Sequence, residues 1–206
     1  MELLLMRHGA TRGNELRRYV GRGSDEPLSE KGMVQCKEVG AFPRVRRAYV
    51  SPMLRARQTA RLCFPHAELI VVPGLEEYDF GQFEGKSAQD MEHDEAYRAW
   101  VDGWCKGRCP GGESRAEFVS RTARALKDML VRAAEREEQK VIVVAHGGTV
   151  MAAMSSFADG SALADDYFGW QVGCCEGYAC TVDWHDGHLF LDVPHHVRNL
   201  AIGCGL

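Results

Sequence analysis

No run of this chain is long and apolar enough to span a bilayer, and the first apolar stretch, residues 3–6, is too short even for a secretory h-region. A cytoplasmic protein is the expectation. Positive charge is not in surplus: 25 Lys and Arg stand against 29 Asp and Glu, a formal net charge of −4, which argues against general nucleic-acid or acidic-membrane binding. Among eight cysteines there is no C-x-x-C pair, so zinc-ribbon and thioredoxin-type readings lack their motif. Cys105 and Cys109 are four apart and Cys174 and Cys175 adjacent. All eight are expected to be reduced, most of them as small core residues. His185, His188, His195 and His196 show no regular ligand spacing, so no metal is expected. Repeats and low-complexity segments are also lacking. What remains is an ordinary globular composition, 45% hydrophobic and 26% charged over 206 residues. That suits one large domain, or one domain with an insertion.

Strand and helix signals alternate along this chain. Residues 3–6, 48–51, 69–72 and 141–145 read as strands, the last a continuous apolar run suited to a central parallel strand. Residues 178–184 and 188–193 flank Asp186-Gly187 and predict an antiparallel hairpin. Ser29 is the expected N-cap of a helix running to about residue 41, with Val34, Val39 and Phe42 on its buried side. Further helices follow Pro52 and start near Ser114, where Glu117 completes a capping box, and near Val150. From 75 to 112 the composition turns aromatic and acidic, without strand periodicity. Tyr97, Trp100, Val101 and Trp104 fall at helical spacing there. The predicted fold is α/β, a three-layer sandwich with a mostly parallel central sheet and a small helical insertion at about 86–112 within a single domain of 1–206.

Two of the strands end in histidine followed by glycine: Met6-Arg7-His8-Gly9 and Ala145-His146-Gly147-Gly148. A third runs through Ser51 into a helix whose first turn carries Arg55. Ligands of open α/β sheets bind beyond the carboxyl ends of the strands, so His8, His146, Arg7 and Arg55 converge if these strands are parallel. Guanidinium forks and helix N–H groups around two imidazoles suit a phosphoryl group.

In this constellation the sequence resembles the histidine phosphatase superfamily, which includes the phosphoglycerate mutases. The matching pieces are Arg7-His8-Gly9-x-Thr11-x-x-Asn14, Pro27-Leu28-Ser29-x-x-Gly32 and Ser51-Pro52-x-x-Arg55-Ala56-x-Gln58-Thr59-Ala60. They continue with Leu75-x-Glu77-x-Asp79-Phe80-Gly81-x-Phe83-Glu84-Gly85, Gly111-Gly112-Glu113-Ser114 and Ala145-His146-Gly147-Gly148. The resemblance implies a phosphohistidine on His8, with Arg7, Arg55, Asn14 and His146 stabilising the transferring group. The neighbouring cations would keep His8 neutral and nucleophilic. Glu77 matches the family's general acid, with Glu76 as its rival. Thr11 either binds phosphate or shapes its loop; Arg12 and Gly147 are further candidates for phosphate or substrate binding. Arg22 and Arg121 read by default as solvated surface arginines. No cofactor is implied.

The implied reaction is hydrolysis of a small soluble phosphate monoester. Residues 86–112 are shorter and less basic than the phosphoglycerate mutases' insertion, which favours hydrolysis over transfer. Within the phosphatases the chain is most similar to the α-ribazole-5′-phosphate phosphatases of cobalamin assembly, through residues 95–100 and Trp104 and loosely through 168–175. Tyr97, Trp100 and Trp104 have an alternative reading as packing of the insertion. A broad-specificity phosphatase, a phosphoglycerate mutase and a non-catalytic phospholigand-binding protein are the other readings. The last would be marked by loss of His8, Arg7, Arg55, Glu77 or His146, and all five are present.

Overall fold

Alternate residues of the first strand point to opposite sides, and both sides are apolar. In the computed structural model, which describes residues 1–158 and 166–198, β1 (Glu2–Arg7) sends Leu3 and Leu5 into one buried cluster and Leu4 and Met6 into another. The same division runs through β2 (Arg47–Val50) and β4 (Lys140–Ala145), with β3 (Glu68–Val71) beside β2. A sheet apolar on both faces needs helices on both. One face takes α2 (Glu30–Val39) and α3 (Leu54–Cys63), which follow the short α1 (Arg12–Glu15); the other takes α5 (Arg115–Glu135) and α6 (Gly147–Phe157). The α/β three-layer expectation holds.

The strand order is β3-β2-β4-β1-β5-β6, counting β5 (Gly177–His185) and β6 (His188–Val197). The pairings β3–β2, β2–β4 and β4–β1 are parallel; β1–β5 and β5–β6 are antiparallel. Among the described strands, β5 alone runs against the rest. Its turn into β6 places Asp186 at φ 50° and Gly187 at φ 77°, the double left-handed geometry of a two-residue hairpin.

Two details differ from the sequence reading. Val34 is half exposed, and Gly32, Cys36 and Val39 form the buried side of α2. Gly32 sits so close to the first loop that a Cβ would lie 2.0 Å from the Ala10 carbonyl oxygen, and that contact sets the rotation of the helix. In the 75–112 segment, α4 (Glu95–Asp102) buries Tyr97 and Trp100 but ends at Gly103. Trp104 therefore leaves the helical phase, at φ 56°, and is 72% exposed. The seven described cysteines are all free, and Cys204 lies outside the described residues.

Candidate active site

The register of the three central strands assembles the site. Arg7 is level with Ala145, and Val50 with Val144. His8, His146 and Ser51 are thus the first residues beyond three neighbouring strands, with His8 N–H still bonded to the Ala145 carbonyl (3.0 Å) and Ser51 N–H to that of Val144 (3.0 Å). The two imidazoles meet edge to face, with centroids 5.1 Å apart.

His8 is 3% exposed. Its Nδ1 lies 2.6 Å from the Gly9 carbonyl, which only a protonated Nδ1 can approach as a donor. That fixes the tautomer and leaves the Nε2 lone pair available. Arg55 Nε donates to this lone pair at 3.2 Å. The fully buried Arg55 also donates to the carbonyls of Ser24 (2.8 Å) and Gly21 (3.0 Å). Those carbonyls belong to a segment that Glu84 grips, accepting from Gly21 N–H at 2.7 Å and Gly23 N–H at 3.1 Å. Burial pushes the Glu84 carboxyl up to about 7, against the pull of these two N–H groups. His146 Nε2 pairs with Ser51 Oγ at 2.7 Å, while its Nδ1 and Arg7 Nε are buried without a hydrogen-bond partner.

The motif residues around this centre hold its loops. Gly9 N–H donates to Thr59 Oγ1 (3.0 Å), Ala10 N–H to Gln35 Oε1 (2.9 Å), and Leu28 N–H to Gln58 Oε1 (2.7 Å). Thr11 and Asn14 cap each other in a reciprocal capping box, so Thr11 shapes its loop. Arg12 faces solvent and pairs with Glu15 at 3.3 Å, apart from the site.

Glu77 lies over the start of α6 and accepts from Gly148 N–H at 3.0 Å and Tyr78 N–H at 2.9 Å. Gly148 must be glycine for this approach, because a Cβ there would lie 2.2 Å from Glu77 Oε1. Glu76 instead folds back onto Gly74 N–H (2.8 Å). Arg121 is a clamp rather than a solvated arginine. It donates to the carbonyls of Gly74 (3.0 Å), Glu76 (3.0 Å) and Glu77 (2.9 Å) and to Glu113 Oε1 (2.6 Å) and Oε2 (3.0 Å). Arg22 is exposed.

A cavity of about 390 Å³ lies beside this centre, with Arg7, Asn14, Glu77, Gly147 and Gly148 in its wall and the buried His8, Arg55 and His146 behind its lining. Tyr19, Phe80, Trp100, Tyr167 and Phe168 line it as well. Trp100 reaches this wall, held by its Nε1–H to the Gly107 carbonyl (3.2 Å), whereas Tyr97 packs inward against Tyr19. Arg18 and Arg115 also line the cavity; Arg115 stacks on Tyr167 at 4.6 Å and Phe168 at 4.8 Å. The acidic residues of the insertion take no part in the wall. Away from the cavity, Asp183, His185 and Asp192 could hold a metal ion on the exposed face of the β5–β6 hairpin, their ligand atoms lying within 4.8 Å.

His8 and His146 are both held well below the ordinary imidazole value of 6.5, first by burial and then by Arg55, with Arg7 adding to each. Folded pKa values below the unfolded ones mean that the unfolded chain takes up protons first on acidification. Stability is therefore full above about pH 6.5 and falls below it, by up to about 1.4 kcal/mol per pH unit for each histidine. Urea unfolding from about pH 7 to about pH 5 measures the net slope, which the raised Glu84 carboxyl opposes by taking up its proton in the folded state first. His8→Asn is expected to reduce the loss of stability by up to about 1.4 kcal/mol per pH unit. An unchanged slope in that variant would show that other groups carry the dependence.

Comparison with known proteins places this geometry. An adenosylcobalamin/alpha-ribazole phosphatase of Salmonella typhimurium is 30% identical over 192 residues, covering 87% of this chain and 93% of that protein. A 2,3-bisphosphoglycerate-dependent phosphoglycerate mutase of Gloeobacter violaceus is 30% identical, covering 73% and 72%. The crystal structure of the alpha-ribazole phosphatase from Shigella flexneri superposes with a TM-score of 0.73 at 25% identity, covering 93% and 94%. The model of the histidine phosphatase superfamily (branch 1) matches residues 3–191, and the chain belongs to that family as a phosphatase.

Proposed function

We propose that this phosphatase hydrolyses α-ribazole 5′-phosphate, or a nucleoside-like monophosphate of the same shape, through a phosphohistidine on His8. The observation that carries the substrate is the aromatic lining, Trp100 above all, in the same cavity as Arg7 and Glu77. A phosphate beside Arg7 leaves a flat, uncharged base next to those rings, where stacking contributes about 1–3 kcal/mol. The whole chain acts as one domain, with residues 86–112 as the insertion that supplies Trp100.

In the first step, a phosphate oxygen takes over the Arg55 Nε–H and releases the His8 lone pair. His8 Nε2 then bonds to phosphorus as the ester P–O bond breaks, and Glu77 gives its proton to the leaving oxygen. Arg7, Arg55, Asn14 and His146 stabilise the charge on the phosphoryl oxygens. Water attacks next; Glu77 takes its proton, the P–N bond breaks and inorganic phosphate leaves. The Arg7 guanidinium lies against Gly147 at the start of α6, at a distance where a Cβ would make ordinary contact, 3.4–3.5 Å.

One observation favours a second reading. Arg18 and Arg115 supply cations that could hold a carboxylate or second phosphate, as phosphoglycerates require. The two readings separate on kcat/KM. Alpha-ribazole 5′-phosphate is expected to exceed 3-phosphoglycerate by about tenfold or more, and Trp100→Ala to lose about that factor on the former alone. Preference for 3-phosphoglycerate, or a requirement for 2,3-bisphosphoglycerate, would make the protein a mutase.

A further inference from the structure

Behind the catalytic loop, on the α2 side of the sheet, lies a cluster of thiols that the reaction does not use. Cys36 Sγ and Cys175 Sγ are in contact at 3.7 Å, both nearly fully buried, and Cys63 Sγ points at the Cys36 carbonyl at 3.9 Å. Each member of the first pair touches the backbone that carries His8. Cys36 Sγ packs against Gly9, 3.0 Å from where a Cβ would lie, and the Gly9 carbonyl is the partner of His8 Nδ1. Cys175 N–H donates to the carbonyls of Arg7 (3.1 Å) and His8 (3.2 Å). Cys175 sits at φ 61°, beside the partly exposed Cys174.

We propose that Cys36 and Cys175 form an oxidation-sensitive dithiol, and that their disulfide disables the enzyme by displacing the His8–Gly9 loop. Closing the sulfurs from 3.7 Å to the roughly 2.05 Å of an S–S bond draws α2 and the start of β5 together across that loop. Cys36 is the member primed to attack: hydrogen bonds from Cys175 and Cys63 lower its pKa, while sharing with Cys36 and burial raise theirs. The oxidant is a hydroperoxide. Cys36 thiolate takes the distal oxygen as the O–O bond breaks, giving a sulfenic acid and, after protonation, water or an alcohol. Cys175 sulfur then bonds to Cys36 sulfur, and the sulfenic oxygen leaves as water with the Cys175 proton. Two thiols are oxidised and one peroxide bond is reduced.

The test treats the full chain with hydrogen peroxide and follows turnover, intact mass and the peptide map together. The expected result is loss of two hydrogens, a peptide joining Cys36 to Cys175, a fall in kcat of about a hundredfold, and recovery with dithiothreitol. Cys174→Ser should respond like the parent and Cys63→Ala should form the same cross-link more slowly, having lost one of the hydrogen bonds that prime Cys36, while Cys36→Ser and Cys175→Ser should keep their resting turnover and lose the response. The peptide map of the unaltered chain decides the cross-link even where a variant folds poorly, and it does not depend on His8 being the nucleophile. Inactivation without that peptide, inactivation persisting in either serine variant, or the cross-link with turnover intact would overturn the proposal.

Discussion

His8→Ala is expected to lower turnover by roughly 10⁴-fold or more and to leave no acid-labile, alkali-stable phosphate on the protein after a quenched reaction with labelled substrate. The size of the loss follows from the site's construction. The Gly9 carbonyl holds the Nδ1 proton and Arg55 Nε donates to Nε2, so one nitrogen is presented at a fixed angle. The neighbouring His146 has its Nε2 paired with Ser51 Oγ. Because burial and two guanidiniums keep His8 neutral, its nucleophilicity should also persist below pH 6.5. Near-normal activity in the alanine variant, or label on another residue, would remove His8 from the mechanism.

Glu77→Gln is expected to slow alkyl phosphates by roughly 10²–10⁴-fold and p-nitrophenyl phosphate by much less. A basic alkoxide needs a proton as it leaves; nitrophenolate does not. The glutamine keeps an acceptor for one of the two N–H groups, Gly148 or Tyr78, and gives up the other bond together with the proton. Equal losses on both substrates would point to a structural effect or to another acid. Glu76 is a poor rival, since its carboxylate turns back to Gly74 and sits 3.9 Å from Arg121.

The residues legible in the sequence were those whose neighbours are also local in sequence. Arg7-His8-Gly9 and His146-Gly147-Gly148 follow apolar runs, so strand ends placed them, and the capping box at Ser114 lies within four residues. Residues that act through distant backbone were not legible. Arg121 reaches carbonyls 44–47 positions away, and Glu84 grips N–H groups 61–63 positions earlier; composition carries no trace of either. Arg18 and Arg115 belong to no motif, and only the fold brings them to one cavity. Trp104 was misplaced because a helical period was extended past Gly103, and Val34 because apolar character outweighed the close approach of Gly32. Cys36 and Cys175 are 139 residues apart, a pairing no spacing rule reaches.

The two ends of the cavity belong to different pieces of the interior. The phosphate end grows from strands whose side chains fill the two clusters flanking the sheet. Much of the aromatic end rests on a third cluster, in which Tyr78, Phe83, Met91, Tyr97, Trp100, Cys109 and Phe118 pack together. Substitutions in that third cluster can reshape what the enzyme accepts while leaving the packing under the histidines intact. The chemistry and the choice of substrate are thereby free to evolve at different rates within a single chain.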